Sequence, residues 1–253
     1  MAVLAPRPLN FASRARSAQD QVVHDLGVAI LRGDFPENST LPTEAELVER
    51  FSVSRTVLRE VAKTLAAKGL LVSKTKVGTR VRDQVDWNMF DPDVLAWRLE
   101  AGLDQRFLES LYEIRQAVEP AAAALAAIKR SDEDLVRMRL LIDEIRREGH
   151  TRASFAAVDL ALHLDIGAVS GNPFMRSLGS IIEAALMVTL ADTSPIEDPA
   201  RLIIAAENHA AIIDAIDRRD PDAAAQAMTV VIEEGRRSRM AMLKRRIDDT
   251  QAG

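Results

Sequence analysis

At 253 residues the chain is long enough for one large domain or two small ones, each able to bury a core. It is 47% apolar and 28% charged, with only 11 Gly, 10 Pro and 4% aromatic residues, a composition that excludes disorder and disfavours a β-sandwich or barrel. With no cysteine, a disulfide scaffold, a thiolate zinc site and a cysteine nucleophile are excluded, and a reducing compartment, the cytoplasm, is the expectation.

The N-terminus has scattered arginines and no apolar core of a secretory signal, and the most apolar stretch, Ile181 to Ala191, is interrupted by Glu183 and falls short of a membrane span. A net charge of −5 hides two unlike parts: residues 1–83 carry 13 Lys/Arg against 9 Asp/Glu, and residues 84–253 carry 20 against 29. Ser54 to Arg82 holds eight basic residues against Glu60 alone. A basic module on an acidic body points to a polyanion partner for the module. The expected boundaries are a tail over 1–17, the module over 18–83, a linker over 84–104 with Trp87 and Phe90 able to pack on one of the domains, a helical domain over 105–243 and a tail over 244–253.

In chain order, Gln21 to Leu31 has helical spacing of apolar residues and stops at Gly33. Thr43 with Glu46 forms a capping-box pattern that opens a short second helix ending near Phe51. Ser52 or Ser54 caps a third helix, Arg55 to Lys68, with Val57, Leu58, Val61 and Leu65 inward and Arg55, Arg59 and Lys63 recurring every fourth residue on one outer face. Leu70 to Ser73 and Thr79 to Val81 favour two strands joined by a basic turn from Lys74 through Lys76 to Gly78. This order describes a winged helix-turn-helix, and one helix fits a DNA major groove about 12 Å wide.

From Asp104 onward the pattern is nearly all helix, and an antiparallel bundle of about six helices is the expected packing. The first bundle helix has a candidate core face of Phe107, Leu108, Leu111, Ile114, Val118, Ala121, Leu125 and Ile128. Asp159 and His163, one turn apart, and His209 on a later helix suit a Zn, Ni or Mn ion, or else a core hydrogen bond. Arg115 either pairs with Glu119 or forks onto a ligand carboxylate.

Leu41-Pro-Thr-Glu-Ala-Glu-Leu, then Phe51-Ser-Val-Ser-Arg-Thr-Val-Leu-Arg-Glu and Gly69-Leu-Leu, resembles the DNA-binding domain of the GntR family of bacterial transcription factors. Leu111-Tyr-Glu-Ile-Arg-Gln-Ala-Val-Glu-Pro, Asp159 through His163, Gly171-Asn-Pro and Glu207-Asn-His resemble the FCD effector domain of the FadR branch. The resemblance implies a mainly α protein, a winged helix followed by an all-α FCD-like bundle. It implies DNA contacts at Ser54, Arg55, Thr56, Arg59, Lys63, Lys74, Lys76, Gly78 and Thr79, and effector contacts at Arg115, Asp159, His163, Asn172 and His209. Metal-binding members use one Asp and three His; Asp159, His163 and His209 match, while apolar residues stand near Val231 in place of the last. Trp87 to Trp97 is similar to the linker of galactonate-responsive repressors in this branch.

The functional expectation is a cytoplasmic homodimeric regulator, a repressor reading a palindromic operator and tuned by a sugar acid or other small carboxylate, with a divalent metal as candidate cofactor. The rival is a metal-dependent enzyme using Asp159, His163 and His209, with the basic module as tether.

Overall fold

The computed structural model describes residues 17–74, 78–102 and 104–252. They form two compact units that divide between Asp104 and Gln105.

The first unit contains α1 (Ala18–Arg32), α2 (Glu44–Phe51), α3 (Arg55–Ala67), β1 (Leu71–Lys74), β2 (Gly78–Val81) and α4 (Pro92–Ala101). Local chemistry sets each boundary. Ser17 and Thr43 close reciprocal capping boxes with Asp20 and Glu46, and Gly33 ends α1 in the left-handed region. Ser52 takes the left-handed position at the end of α2, which leaves Ser54 as the cap of α3, its hydroxyl accepting from Val57 N at 3.2 Å. The strands pair antiparallel with Leu71 opposite Val81 and Lys74 opposite Gly78. Leu26, Leu58, Val61, Leu65, Leu71 and Val81 fill the core.

The stretch expected to be a linker is packed into this unit. Trp87 and Trp97 are buried with the winged-helix core, whereas Phe90 is exposed. Trp97 presses on Gly27, where an added Cβ would come within 2.5 Å of the indole. Lys68, at the end of α3, donates to Asp91 at 2.8 Å and Asp93 at 2.7 Å. Together these contacts dock α4 on α1 and on the end of α3.

The second unit contains α5 (Gln105–Lys129), α6 (Asp132–Arg146), α7 (Arg152–Val169), α8 (Pro173–Ser177), α9 (Gly179–Thr193), α10 (Pro199–Asp217) and α11 (Pro221–Ala252). The chain from Pro173 forms two helices, since α8 closes at Leu178 before α9 begins. Residues 244–252, expected as a tail, continue α11. α5, α10 and α11 pack side by side, and α7 lies against α5, α6 and α9. The core holds Phe155, Leu162, Ile166, Ile212, Ile216 and Met228. Among the described residues no helix is long and apolar enough to cross a membrane.

Candidate functional site

On the first unit, Arg55, Arg59 and Lys63 stand outward from α3 with side chains 72%, 68% and 73% exposed, so the polar face read from their spacing faces solvent. Ser54 and Thr56 are exposed at the start of the same helix, where unpaired backbone amides favour phosphate. A groove runs between α3 and the hairpin, lined by Thr43, Arg59, Lys63, Ser73, Gly78 and Thr79. Gly78 has φ near 101°, a conformation that suits glycine at the hairpin tip. Thr79 faces Ser73 across the ladder, with hydroxyl oxygens 3.4 Å apart. Lys74 ends β1, though its side chain lies outside the described residues, as does Lys76 altogether. Two acidic side chains pair with this basic face: Glu44 accepts from Arg59 Nε at 3.2 Å, and Glu60 accepts from Lys63 Nζ at 2.8 Å.

In the second unit, helical spacing brings together Asp159 and His163 from α7 and His209 from α10, all at most 5% exposed. Candidate ligand atoms on the three lie within 4.8 Å of one another. His163 and His209 meet edge to face, ring centroids 5.6 Å apart. His209 Nδ1 lies 2.6 Å from the Ala205 carbonyl, and His163 Nδ1 contacts Glu119 Oε2. Donating Nδ1–H to these acceptors leaves both Nε2 atoms as lone-pair donors. Neither buried Nε2 has a hydrogen-bond partner, although His209 Nε2 sits 2.9 Å from Asp159 Oδ1. A short N···O approach without hydrogen-bond alignment suits two donors converging on a third point.

The charges agree with that geometry. Burial alone would raise the Glu119 carboxyl, but Arg115 and then His163 hold it down at about 2. Burial likewise opposes ionisation of Asp159, and His209, His163 and Arg115 overcome it. Burial opposes the charged form of His209, and Asp159 overcomes it, raising that imidazole. Arg115 and Glu119 neutralise each other, so within this cluster Asp159 is left as the negative charge and calls for a positive partner, a proton on His209 or a cation. Two imidazoles and a carboxylate with open coordination positions fit a divalent metal such as zinc.

These residues form the floor of a pocket with a cavity volume of about 110 Å³. Phe155, Leu186, Ile204 and Val231 supply apolar wall, and Arg201, Glu234 and Ser238 supply polar groups. Val231 stands in the wall where the family resemblance implied a histidine. Arg115 lines the pocket but is 3% exposed and is held by Glu119 through Nε, so the ion-pair alternative describes its geometry. Asn172 is not brought to the cluster; its Oδ1 accepts from Phe174 N at 3.0 Å and caps α8.

Sequence reasoning passed over Glu119 as a site residue, and passed over Arg201, Glu234 and Ser238 entirely. A signal existed for Arg201, since Arg201, Ala205 and His209 repeat every fourth residue on one face of α10.

Comparison with known proteins agrees with both halves. Residues 18–81 match the bacterial regulatory proteins of the gntR family, and residues 110–234 match the FCD domain. The galactonate operon transcriptional repressor of Escherichia coli (strain K12) is 34% identical over 218 residues, which cover 86% of this chain and 95% of that one. The transcriptional repressor NanR of Cronobacter sakazakii is 30% identical, covering 89% of this chain and 85% of its own length. Among solved structures, Lar, which controls expression of the Listeria monocytogenes agr system, shares the fold at a TM-score of 0.60 and 18% identity, over 89% of this chain and 98% of that one. These relatives are transcriptional regulators, and the rival reading as a metal-dependent enzyme finds no support among them. The chain belongs to the GntR family of bacterial regulatory proteins, with an FCD effector domain behind its DNA-binding domain, and is a DNA-binding transcriptional regulator rather than an enzyme.

Proposed function

We propose that this regulator represses an operon for the breakdown of a small hydroxy acid or sugar acid and leaves its operator when that acid fills the pocket of the second unit. The observation that carries this reading is the convergence of the Asp159 carboxylate, His163 and His209 at the pocket, with candidate ligand atoms within 4.8 Å of one another. Asp159, His163 and His209 would hold a divalent cation, which when bound supplies positive charge to an anionic effector. Arg201, with its Nη2 3.3 Å from the Ser238 hydroxyl, offers a guanidinium fork with a hydroxyl beside it, a pairing suited to a carboxylate flanked by alcohol groups. The relative that represses the galactonate operon supports the same effector class.

Two copies would read a two-fold operator, with α3 in each major groove and Gly78 and Thr79 near the backbone or minor groove. On α5, Ile114, Val118 and Leu125 are half-buried and Ile128 is 57% exposed, an apolar outer face that favours a second copy.

The test is a mobility shift on the duplex the protein selects, over a panel of aldonates, uronates and dicarboxylates. Release by an aldonate or uronate is expected, and indifference to the whole panel would sink the effector assignment. Arg201→Ala should raise the concentration of acid needed for release by roughly 10–100-fold, the loss of a charge-assisted hydrogen bond worth about 1.5–3 kcal/mol. An unchanged half-point would place the anion elsewhere. On the DNA side, Arg55→Ala should weaken the selected duplex by about 1–3 kcal/mol and relax the base preference at one position. Equal losses on selected and random duplexes would make Arg55 a phosphate contact.

A further inference from the structure

Glu44, the first residue of α2, is an acidic group set among the cations of the DNA face. Arg59 reaches it with both donors of one edge of its guanidinium, Nε to Oε2 at 3.2 Å and Nη2 to Oε1 at 3.4 Å. Arg55 Nε lies 3.9 Å from the same Oε1. These ion pairs are exposed, and exposed pairs add little to stability. An anion here also weakens attraction for every phosphate backbone. A group that gives the fold little and costs affinity calls for another use.

The guanidinium geometry supplies one. Arginine has five N–H donors in a rigid plane. With Nε and one Nη2 hydrogen on Glu44, the end of the plane formed by Nη1 and the second Nη2 hydrogen stays open. That end matches the O6 and N7 acceptors of guanine.

We infer that Glu44 is a specificity-determining positioning residue: it clamps Arg59, and steers Arg55, so that their open donors meet base edges instead of swinging onto phosphates. A misplaced complex brings the carboxylate towards phosphate and is disfavoured, whereas the matched complex keeps the carboxylate paired.

This inference rests on the assignment of α3 as the reading helix. The full-length protein is measured on the duplex that wild type enriches from a randomised pool and on a scrambled duplex of equal length. Glu44→Gln should bind the scrambled duplex several-fold more tightly with a steeper salt dependence, and lower the selected-to-scrambled ratio about tenfold. Glu44→Asp, which keeps the charge but draws it back from Arg59, should also lower the ratio without tightening the scrambled complex. Equal tightening on both duplexes by Glu44→Gln would reduce Glu44 to a bulk charge and overturn the inference. So would equal weakening of both with a lowered melting temperature, the mark of a structural role. The parent assignment fails by a different result, Arg59→Ala leaving both affinities at wild-type values.

Discussion

Glu119→Ala is expected to destabilise the second unit by about 3–5 kcal/mol, read as a fall in its denaturant midpoint in the full-length protein. Glu119 is 3% exposed and accepts from Arg115, itself 3% exposed, one turn earlier on α5. It also contacts His163 Nδ1 on α7, so one carboxylate joins two helices. Removing it leaves a guanidinium and an imidazole N–H buried with no acceptor. An unpaired buried charge costs far more than the intact pair contributes, because both partners already lost their hydration on folding. The double variant Arg115→Met, Glu119→Leu should therefore be more stable than Glu119→Ala alone, since it removes the charge along with its partner. A Glu119→Ala protein within 1 kcal/mol of wild type would show that water reaches this pair. If Asp159, His163 and His209 hold zinc as proposed, the same variant should bind it roughly 10–100-fold more weakly in titration calorimetry, because the contact that orients His163 is gone.

That ion pair also explains where the sequence misled. The spacing of Phe107, Leu108, Leu111, Ile114, Val118, Ala121, Leu125 and Ile128 places the core face of α5 along those residues, and Leu108 and Leu111 are indeed buried. Beyond them the buried face runs through Tyr112, Arg115, Glu119, Ala122 and Ala126, while Ala121 and Ile128 are exposed. From Tyr112 onward the helix is turned by about one residue, near 100°, relative to its hydropathy pattern. Hydropathy alone sends Arg115 and Glu119 outward, and alanines weigh little in such a pattern. Only the tertiary setting, where His163 and Asp159 complete a charge network, turns these residues inward. Asp159, His163 and His209 could be named as candidates, and the structure brings them together, because Asp and His one turn apart inside an apolar run are costly to bury. Arg201 could be found only through its place on the His209 face of α10, and Glu234 and Ser238 not at all, because which face of α11 lines the pocket depends on how the helices pack together.

The DNA-binding module was legible nearly element by element, since its boundaries are set locally. The capping hydroxyl of Thr43, the left-handed Ser52, the capping hydroxyl of Ser54 and the glycine at the hairpin tip each act within a few residues of the chain. In residues 84–104 the packing of an aromatic, Trp87, was legible, but the helix and its ion pairs were not, for the opposite reason. Their acidic residues read as solvated linker, yet Asp91 and Asp93 are partners of Lys68, and Asp91 also caps α4. Trp87 donates its indole N–H to the Arg82 carbonyl at 3.2 Å and buries its ring in the winged-helix core. Charge near a Pro looks the same in a linker and in a strap; contacts distant in sequence decide between them.

Gly69 gives that strap a sharp test. It follows the end of α3 with φ near +82°, in the region that disfavours any side chain. A Cβ built there falls 2.4 Å from the Asp86 carbonyl oxygen and 3.1 Å from Asn88 N, backbone atoms that no rotamer change can move aside. The chain passes this close because Asn88 N donates to the Lys68 carbonyl at 3.1 Å, pinning the strap over the helix end. Gly69→Ala should therefore combine backbone strain with overpacking, together about 2–4 kcal/mol, and lower the melting transition of the first unit while the second keeps its own. Relief requires the 86–88 backbone to lift, which withdraws Trp87 from the core and exposes it. A red shift of tryptophan emission below the melting temperature should accompany the loss of stability. Gly33→Ala is the control: its φ is also positive, near +89°, but nothing lies within 4 Å of the added Cβ, so it should cost only the backbone strain and leave the emission unchanged. Equal losses in the two variants would mean the strap yields freely and the close approach at Gly69 carries no energy.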